Sequence, residues 1–313
     1  MTTDLNQHFV ESGENPQNFI VTNDIDLFPK IKQLRTLKDC NVNENRLHDP
    51  LWINADLRQL PLWPVLQTKF ETIVVDPPWY EYYARAGAFP PKCDHNESTL
   101  PWSFEEIRDL RIEDIAASPG FCFIWCGNKH VEQATACLLK WGYRRIEDVC
   151  WIKTNNGKEA TYPEYLPFGA LNVLKNTKEH LLVGIKGTVQ RSRDNYLLHA
   201  NIDSDVIVAP EEDSFGCTKK PDAAYALIER FSNSQRRLEL FGHAHNLRPG
   251  WVTIGSDISD HSTFEPHMYN QLTDGRNRFV PSSSEIERLR PKSPKSSYQN
   301  TSVPLPQNLP DSQ

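Results

Sequence analysis

The tetrapeptide Asp76-Pro77-Pro78-Trp79 is the segment of the chain best suited to chemistry. It directly follows Thr72-Ile-Val-Val75, a β-branched run that predicts a short strand ended by the two prolines. Open α/β sheets bind ligands at the carboxyl ends of such strands. There a carboxylate can accept an N–H from the exocyclic amine of a base, prolines can stiffen its backbone, and an aromatic ring can hold the base out of its stack. The alternative is a Pro-Pro turn followed by a packed tryptophan.

Predicted strands and helices alternate around this motif. Apolar or β-branched runs predict strands at 72–75, 121–126, 149–152, 181–185, 205–209, 237–241 and 251–254. Ser103-Phe-Glu-Glu106 is a capping box that predicts the start of one helix, and Pro221 favours the start of another. Strands that are apolar throughout must be covered on both faces. The pattern therefore predicts an α/β fold with a mostly parallel sheet and helices on both faces.

Composition narrows the classes of protein that the chain can belong to. Its 313 residues are 38% hydrophobic and 24% charged, which is enough apolar material for a sizeable core. The net charge of −7 argues against non-specific coating of nucleic acid, so any such contact must use local basic patches. The absence of a long apolar run or a signal pattern predicts an intracellular protein without a transmembrane helix. The seven scattered cysteines are expected to be reduced thiols, and we predict no metal site.

The sequence Asp-Pro-Pro-Trp after a strand resembles the signature of the mRNA adenosine N6-methyltransferase family. The resemblance extends from about Gln17 to Pro294. The other matching segments follow in the family's order: Phe123-Ile-Trp125, Trp141-Gly-Tyr143, Trp151-Ile-Lys-Thr154, Lys178-Glu-His180, Ile185-Lys-Gly187, Asp205-Val-Ile-Val208, Lys220-Pro-Asp222, Leu240-Phe-Gly242 and Arg248-Pro-Gly-Trp251. The resemblance implies a Rossmann-like S-adenosylmethionine methyltransferase fold.

Within the family, a catalytic subunit pairs with a non-catalytic subunit that supports it and helps to bind RNA. The chain is similar to the second kind at Glu81-Tyr-Tyr83, Gly187-Thr-Val-Gln-Arg-Ser192, His199-Ala-Asn-Ile-Asp203, Arg248-Pro-Gly-Trp251 and 287–294. The resemblance implies a non-catalytic, RNA-binding and structural subunit of a nuclear heterodimer. Its partner would be the catalytic homologue, which would carry S-adenosylmethionine. The complex would act on single-stranded mRNA, without a membrane.

The resemblance also implies a pocket for the methyl donor. Lys220 would neutralise the carboxylate of S-adenosylmethionine. Glu239, at a strand end, would accept hydrogen bonds from ribose hydroxyls, as acidic residues do in Rossmann sites. His245 and Asn246 match a His-Asn pair that lies near the donor in the catalytic kind. These four residues are the candidate cofactor ligands.

A second candidate site is basic. Lys186, Arg191 and Arg193 lie in a segment that resembles the family's subunit-interface loop, which implies a positive groove for RNA between the subunits. Arg144 and Arg145 are expected to add to that surface. Guanidinium groups hold phosphates through paired hydrogen bonds, which position a strand without reading its sequence. The alternative is an ordinary exposed loop with a few cations.

Two other functions stay open at the level of sequence. An active S-adenosylmethionine-dependent adenine N6-methyltransferase is favoured by the intact signature, in which Asp76 would hold the amine and Trp79 would stack on the base. Against it, His243 stands where the catalytic kind has arginine, and Ser256-Asp257 replaces an Asn-Gln pair. The other possibility is a regulatory protein with a degenerate methyltransferase fold, which would bind neither donor nor RNA.

The composition divides the chain into four parts. Residues 1–25 are expected to be a mobile N-terminus, and residues 26–70 a helical lead-in segment. Residues 71–258 are expected to form the methyltransferase-like domain. Residues 259–313 are rich in serine, proline and asparagine and carry cations from Arg288 to Lys295, so we expect a mostly disordered basic tail.

Overall fold

A mixed eight-stranded sheet organises the chain. The structure is a computed structural model that describes residues 4–14, 28–85, 101–154, 177–211, 219–256 and 258–293. The strands are β1 (Leu51–Asn54), β2 (Phe70–Val75), β3 (Ala116–Cys126), β4 (Arg144–Thr154), β5 (Lys178–Lys186), β6 (Val206–Pro210), β7 (Arg237–Leu240) and β8 (Val252–Gly255). Their order across the sheet is β1-β8-β7-β2-β3-β5-β4-β6.

The sheet is mostly parallel, as predicted. Only β5 runs antiparallel to its two neighbours, β3 and β4, and every other neighbouring pair is parallel. The carboxyl ends of the seven co-directional strands therefore share one edge of the sheet, which we call the carboxyl edge. The opposite, amino edge carries their first residues and the last residues of β5.

Ten α-helices lie within the described residues. They are α1 (Leu5–Ser12), α2 (Pro29–Glu44), α3 (Leu62–Leu66), α4 (Tyr80–Arg85), α5 (Phe104–Asp109), α6 (Ile112–Ile115), α7 (Val131–Lys140), α8 (Asp222–Phe231), α9 (Pro266–Thr273) and α10 (Ser284–Leu289). The predicted capping box begins α5, because Ser103 Oγ accepts from the backbone N–H of Glu106 and the Glu106 carboxylate accepts from that of Ser103. Helix α8 begins directly after Pro221, as predicted.

Helices cover both faces of the sheet, as predicted. Successive side chains of β2 point to opposite faces. Ile73 and Val75 pack in one core with residues of α3, α5, α6 and α7, whereas Val74 packs in a second core with residues of α8. Because both faces of β2 are buried, its second half, residues 73–75, is continuously apolar, whereas the buried Glu71 is paired with Arg278.

The lead-in segment before residue 71, expected to be helical, also supplies an edge strand to the sheet. Strand β1 pairs in parallel with β8, with Leu51 opposite Val252. The outer side of β1 is closed by side chains of a later segment, since the backbone N–H of Trp52 donates to Thr263 Oγ1 at 3.1 Å. A four-residue strand within a Trp-, Leu- and Pro-rich stretch gives little periodicity by which to predict it.

The region from residue 259 is also more ordered than expected. Helix α10 buries Ile286 and Leu289 against Leu34 of α2, and this packing stabilises both helices. The side chain of Gln7 in α1 accepts from the backbone N–H of Lys292 at 2.7 Å and donates to its carbonyl at 3.2 Å. Residues 294–313, and 1–3 and 15–27 of the N-terminal part, lie outside the described residues.

No helix in the described segments is long and apolar enough to cross a membrane. The same segments contain no cluster of three or more His, Cys, Asp or Glu side chains arranged to hold a metal ion.

Arg230 joins α8 to α2 and to the loop before β6. Its guanidinium donates to both carboxylate oxygens of Asp203 at 2.8 and 2.9 Å, and to those of Asp39 in α2 at 2.9 and 3.0 Å. Because the side chains of Arg230 and Asp203 are only 12% and 13% exposed, water screens this ion pair weakly.

We therefore expect Arg230→Ala to lower the free energy of unfolding by about 3 kcal/mol, since it leaves Asp203 mostly buried with less cationic compensation. Urea denaturation at pH 7 would measure the loss. The control is Arg288→Ala, whose exposed pair with Glu285 should contribute less than about 0.5 kcal/mol. Equal effects of the two substitutions would contradict this role for Arg230.

Candidate functional site

Asp76 lies at the carboxyl edge, as its position after β2 predicts. Its backbone N–H donates to the carbonyl of Leu240 at the end of β7 at 3.2 Å. The following turn is closed by the N–H of Trp79, which donates to the carbonyl of Pro77 at 2.8 Å. The Asp76 side chain is 11% exposed, and its Oδ1 lies 3.3 Å from Lys220 Nζ. The signature aspartate is thus nearly buried and already faces a cation.

Lys220 bridges two acids at this edge. Its ammonium group lies 2.9 Å from Glu179 Oε2, at the start of β5, and Glu179 Oε1 lies 2.7 Å from Lys153 Nζ, near the end of β4. We call Asp76, Lys153, Glu179 and Lys220 the strand-end network. The Lys220 ammonium also lies 4.8 Å from the ring centroid of Tyr82. Four strand or helix ends are joined by these contacts.

The charges of the strand-end network follow from its distances. Burial raises the pKa of Asp76 to about 6, and the single nearby ammonium of Lys220 opposes that rise only in part. Burial also disfavours ionisation of Glu179, but two ammonium groups within 3 Å outweigh it and lower the pKa of Glu179. For Lys220, attraction to Asp76 and Glu179 outweighs burial and raises its pKa. Lys220 therefore stays charged, and the carboxylates of Asp76 and Glu179 balance its charge within the protein.

Trp79 does not offer the predicted aromatic face. It is 1% exposed, and its indole N–H donates to the carbonyl of Trp125 at 2.7 Å. The ring of His130 stacks on it with 5.0 Å between centroids and 11° between planes. A ring that is buried and covered by another ring cannot receive a base. The predicted stacking role of Trp79 therefore conflicts with its position, and the alternative of a packed tryptophan after a Pro-Pro turn holds.

Glu239 and Asn246, two of the predicted cofactor ligands, lie together. Glu239 on β7 is fully buried, and its Oε1 accepts from the Tyr225 hydroxyl at 2.5 Å and from Asn246 Nδ2 at 2.9 Å. Burial raises the pKa of Glu239 to about 7, although the Tyr225 hydrogen bond opposes the shift. Within the described part of the chain, its Oε2 has no hydrogen-bond partner. One carboxylate oxygen is therefore held in place while the other can accept a donor.

His245, the fourth predicted ligand, lies in different surroundings. It is exposed, and its ring centroid is 5.4 Å from that of His243. Asn246 next to it is buried and accepts from the backbone N–H of His243 at 2.8 Å, which closes the turn after β7. The structure therefore separates His245 from the buried carboxylate of Glu239.

The predicted RNA-binding residues lie at the amino edge, opposite Asp76. Arg144 and Arg145 begin β4 and pair with the end of β5, and Arg191 and Arg193 lie in the turn that follows β5. The part of β5 from Glu179 to Lys186 separates this surface from Glu179 by about 24 Å. These four arginines form no ion pair within 4.0 Å to a described residue. Their charge is available to an external anion.

Lys186 differs from these arginines. Its ammonium group donates to the carbonyls of Glu113 and Trp141, each at 3.4 Å. Burial and the nearby Lys69 lower its pKa. Cations stabilise the carbonyl ends of helices, and Lys186 does so for α7. Lys186 is half-buried, and its ammonium group is already engaged with these carbonyls, unlike the four arginines.

Three residues of the site had no function assigned from the sequence. Glu179 and Lys153 lie in segments that match the family, but the sequence assigns them no role beyond that match. The feature by which they could have been predicted is a charged residue within a strand that is otherwise buried, such as Glu179 in β5. Tyr225 lies in α8 among apolar residues, and its ring packs in the second core. Its hydroxyl reaches Glu239, which helical spacing alone does not reveal.

Comparison with known proteins identifies the family. The model of the MT-A70 family matches residues 70–257, more than half of the chain. The chain is 39% identical, over 93% of its length, to the N(6)-adenosine-methyltransferase non-catalytic subunit METTL14 of Drosophila melanogaster, and spans 72% of that protein. It is 44% identical to the N6-adenosine-methyltransferase non-catalytic subunit MTB of Arabidopsis thaliana, over 66% of this chain and 26% of that protein. It is 33% identical to the human N(6)-adenosine-methyltransferase catalytic subunit METTL3, over 72% of this chain and 34% of that protein.

The chain belongs to the MT-A70 family, a family of S-adenosylmethionine-dependent methyltransferases with a Rossmann-like fold. This confirms the resemblance seen in the sequence and the predicted fold class. Its higher identities are to relatives named as non-catalytic subunits, and its identity to the human catalytic subunit is lower.

The buried residues at the carboxyl edge match only part of S-adenosylmethionine. The unpartnered Oε2 of Glu239 suits a ribose hydroxyl. The carboxylate of the donor needs a cation, but Lys220 already lies between Asp76 and Glu179. A third carboxylate there would place three negative charges around one ammonium group. The residues at this edge therefore do not fit the complete donor.

The titration of Glu239 gives a test of this geometry. Its ordinary pKa is 4.5 and its pKa in the folded protein is about 7, so the folded state holds the proton more tightly. Glu239 thus contributes stability below about pH 4.5 that is lost as the pH rises through about 7. Between pH 5 and 8 the wild-type free energy of unfolding should fall by about 2 kcal/mol more than that of Glu239→Gln. Denaturant titrations at both pH values measure this, and parallel pH profiles would show that Glu239 ionises freely.

Proposed function

We propose that this chain is the non-catalytic, RNA-binding and structural subunit of a nuclear mRNA adenosine N6-methyltransferase complex, paired with a catalytic homologue that holds S-adenosylmethionine. The observation that carries the proposal is the bridge from Lys220 to Asp76 and Glu179. In it, the cation that would hold the donor donates to Glu179 and lies 3.3 Å from the acid that would hold the target amine.

The alternative, an active adenine N6-methyltransferase, needs Asp76 to accept a hydrogen bond from the amine. An acceptor works best when ionised and free, but Asp76 is nearly buried, faces Lys220 and has a pKa raised to about 6 by burial. It also needs an aromatic face, and Trp79 is covered by His130. The intact signature favours this alternative at the level of sequence. In the structure, its side chains contact other residues of the protein instead.

The RNA-binding part of the proposal is supported by the amino edge. Arg144, Arg145, Arg191 and Arg193 form no ion pair within the described segments, whereas most cations of α2, α8 and α10 face an acid. In a chain with a net charge of −7, uncompensated arginines on one edge make a local positive surface. A catalytic homologue seated beside this edge would complete a groove for single-stranded mRNA.

A methyl-transfer assay tests the catalytic assignment. Labelled S-adenosylmethionine and a single-stranded, adenosine-containing RNA would be given to the chain alone and to its complex with the catalytic homologue. We expect no transfer by the chain alone and transfer by the complex. Asp76→Asn, which keeps the shape of the side chain, should leave the activity of the complex within about threefold of wild type, or about 0.65 kcal/mol.

The matched control is the same substitution in the signature aspartate of the catalytic homologue, which should abolish transfer. Methyl transfer by the isolated chain, lost in Asp76→Asn, would instead make this subunit an enzyme.

RNA affinity at several salt concentrations tests the basic surface. Each of Arg144→Ser, Arg145→Ser, Arg191→Ser and Arg193→Ser should weaken binding of the complex to single-stranded RNA. Each should also reduce the slope of log affinity against log salt by about 0.7, because one fewer phosphate is neutralised. The control is Lys129→Ser, an exposed cation at the carboxyl edge, which should leave the slope unchanged. Unchanged slopes in all four arginine variants would support the regulatory alternative, which binds no RNA.

A further inference from the structure

Tyr196 is an exposed aromatic residue at the amino edge. Its side chain is 48% exposed, although the large aromatic residues in the described part of the chain are mostly buried. It lies in the turn that follows the turn of Arg191 and Arg193. Its ring makes a T-shaped contact with that of Phe279, with 5.1 Å between centroids and 79° between planes. This contact helps to fix the ring, and about half of the side chain stays in water.

The backbone around Tyr196 is held by the core. Leu197 and Leu198 are buried against the α8 face of the sheet, and Leu198 forms a β-bridge with Ser232. The side chain of Asn233 donates to the carbonyl of Asn195 at 3.1 Å. The two residues after Tyr196 anchor the turn and the residue before it is hydrogen-bonded, so the ring is presented from a fixed position. A preorganised contact residue loses little entropy on binding.

Two arginines, Arg191 and Arg193, and one acid, Asp194, precede Tyr196 in the chain. The carboxylate of Asp194 accepts from the backbone N–H of Gln190 at 2.6 Å, so it serves the turn. Arg191 and Arg193 form no ion pair with the described residues. An exposed aromatic ring close in the chain to such arginines is a combination that binds single strands, in which arginines hold phosphates and a ring stacks on a base.

We propose that Tyr196 stacks on an unpaired base of single-stranded RNA whose phosphates are held by Arg191 and Arg193. The proposal rests on the RNA-binding part of the proposed function and deepens it by naming a base-contacting residue. Only a strand with unstacked bases can use such a ring, because the bases of a duplex are already stacked on one another. The contact is tolerant of sequence, since every base has a π-face.

The test compares Tyr196→Ala and Tyr196→Phe in the complex with the catalytic homologue. Binding of a labelled single-stranded RNA would be titrated at several salt concentrations. Tyr196→Ala should lower the affinity about 5- to 100-fold without changing the salt slope, because stacking releases no counterion. Tyr196→Phe should bind like wild type. Tyr80→Ala, which removes an exposed tyrosine (56%) near the carboxyl edge, is the matched control and should have no effect.

RNA with single abasic positions gives a second readout. At the stacked position, loss of the base should weaken binding to wild type by about the same factor as Tyr196→Ala, and should weaken binding to Tyr196→Ala no further. This non-additivity distinguishes stacking from a merely structural role of Tyr196.

The outcomes separate this inference from the proposed function. If the arginine variants lose affinity and Tyr196→Ala does not, stacking is wrong and RNA binding by this edge stands. If Tyr196→Ala weakens association with the catalytic homologue instead, the residue is a subunit contact and the inference fails. If neither Tyr196 nor the arginines affect RNA affinity, the RNA-binding part of the proposed function fails with it.

Discussion

The buried ammonium group of Lys220 is the constraint on which the carboxyl edge depends. A cation removed from water is tolerated only when opposite charges and polar groups surround it. Asp76 and Glu179 supply those charges, Tyr82 supplies an aromatic face, and Lys153 balances the second carboxylate. Because these residues end or begin different strands and helices, their pairing fixes where β2, β4, β5 and α8 meet. The same pairing places the acid and the cation that a methyltransferase would use 3.3 Å apart.

The sheet consequently has two edges with different roles. At the carboxyl edge, charged side chains compensate one another within the protein. At the amino edge, Arg144, Arg145, Arg191 and Arg193 stay uncompensated among the described residues, with Tyr196 beside them. The antiparallel strand β5 connects the two, with Glu179 near one end and Lys186 at the other. Because one fold supports both edges, the binding role proposed for the amino edge does not depend on chemistry at the carboxyl edge.

The sequence predicted the sheet more fully than it predicted the site. Apolar runs such as residues 73–75 of β2 have few other interpretations, since a strand buried on both faces is mostly apolar. Strand β1 and the helices beyond residue 259 were missed because they are short and are stabilised by distant partners, such as Leu34 for Ile286. The role of Asp76 depends on Lys220, which is 144 residues away in the chain and comes close only in the folded sheet. A local sequence pattern identifies the signature, but contacts between residues distant in the chain determine what its side chains can bind.

The stoichiometry of donor binding tests this account most directly. Isothermal titration calorimetry with S-adenosylmethionine would be carried out on the isolated chain and on its complex with the catalytic homologue. Because Lys220 is already paired, the account predicts no binding to the isolated chain and one donor bound per heterodimer. Binding to the isolated chain, or two donors per heterodimer, would show that the strand-end network opens to admit the donor and would contradict the assignment of this subunit as non-catalytic.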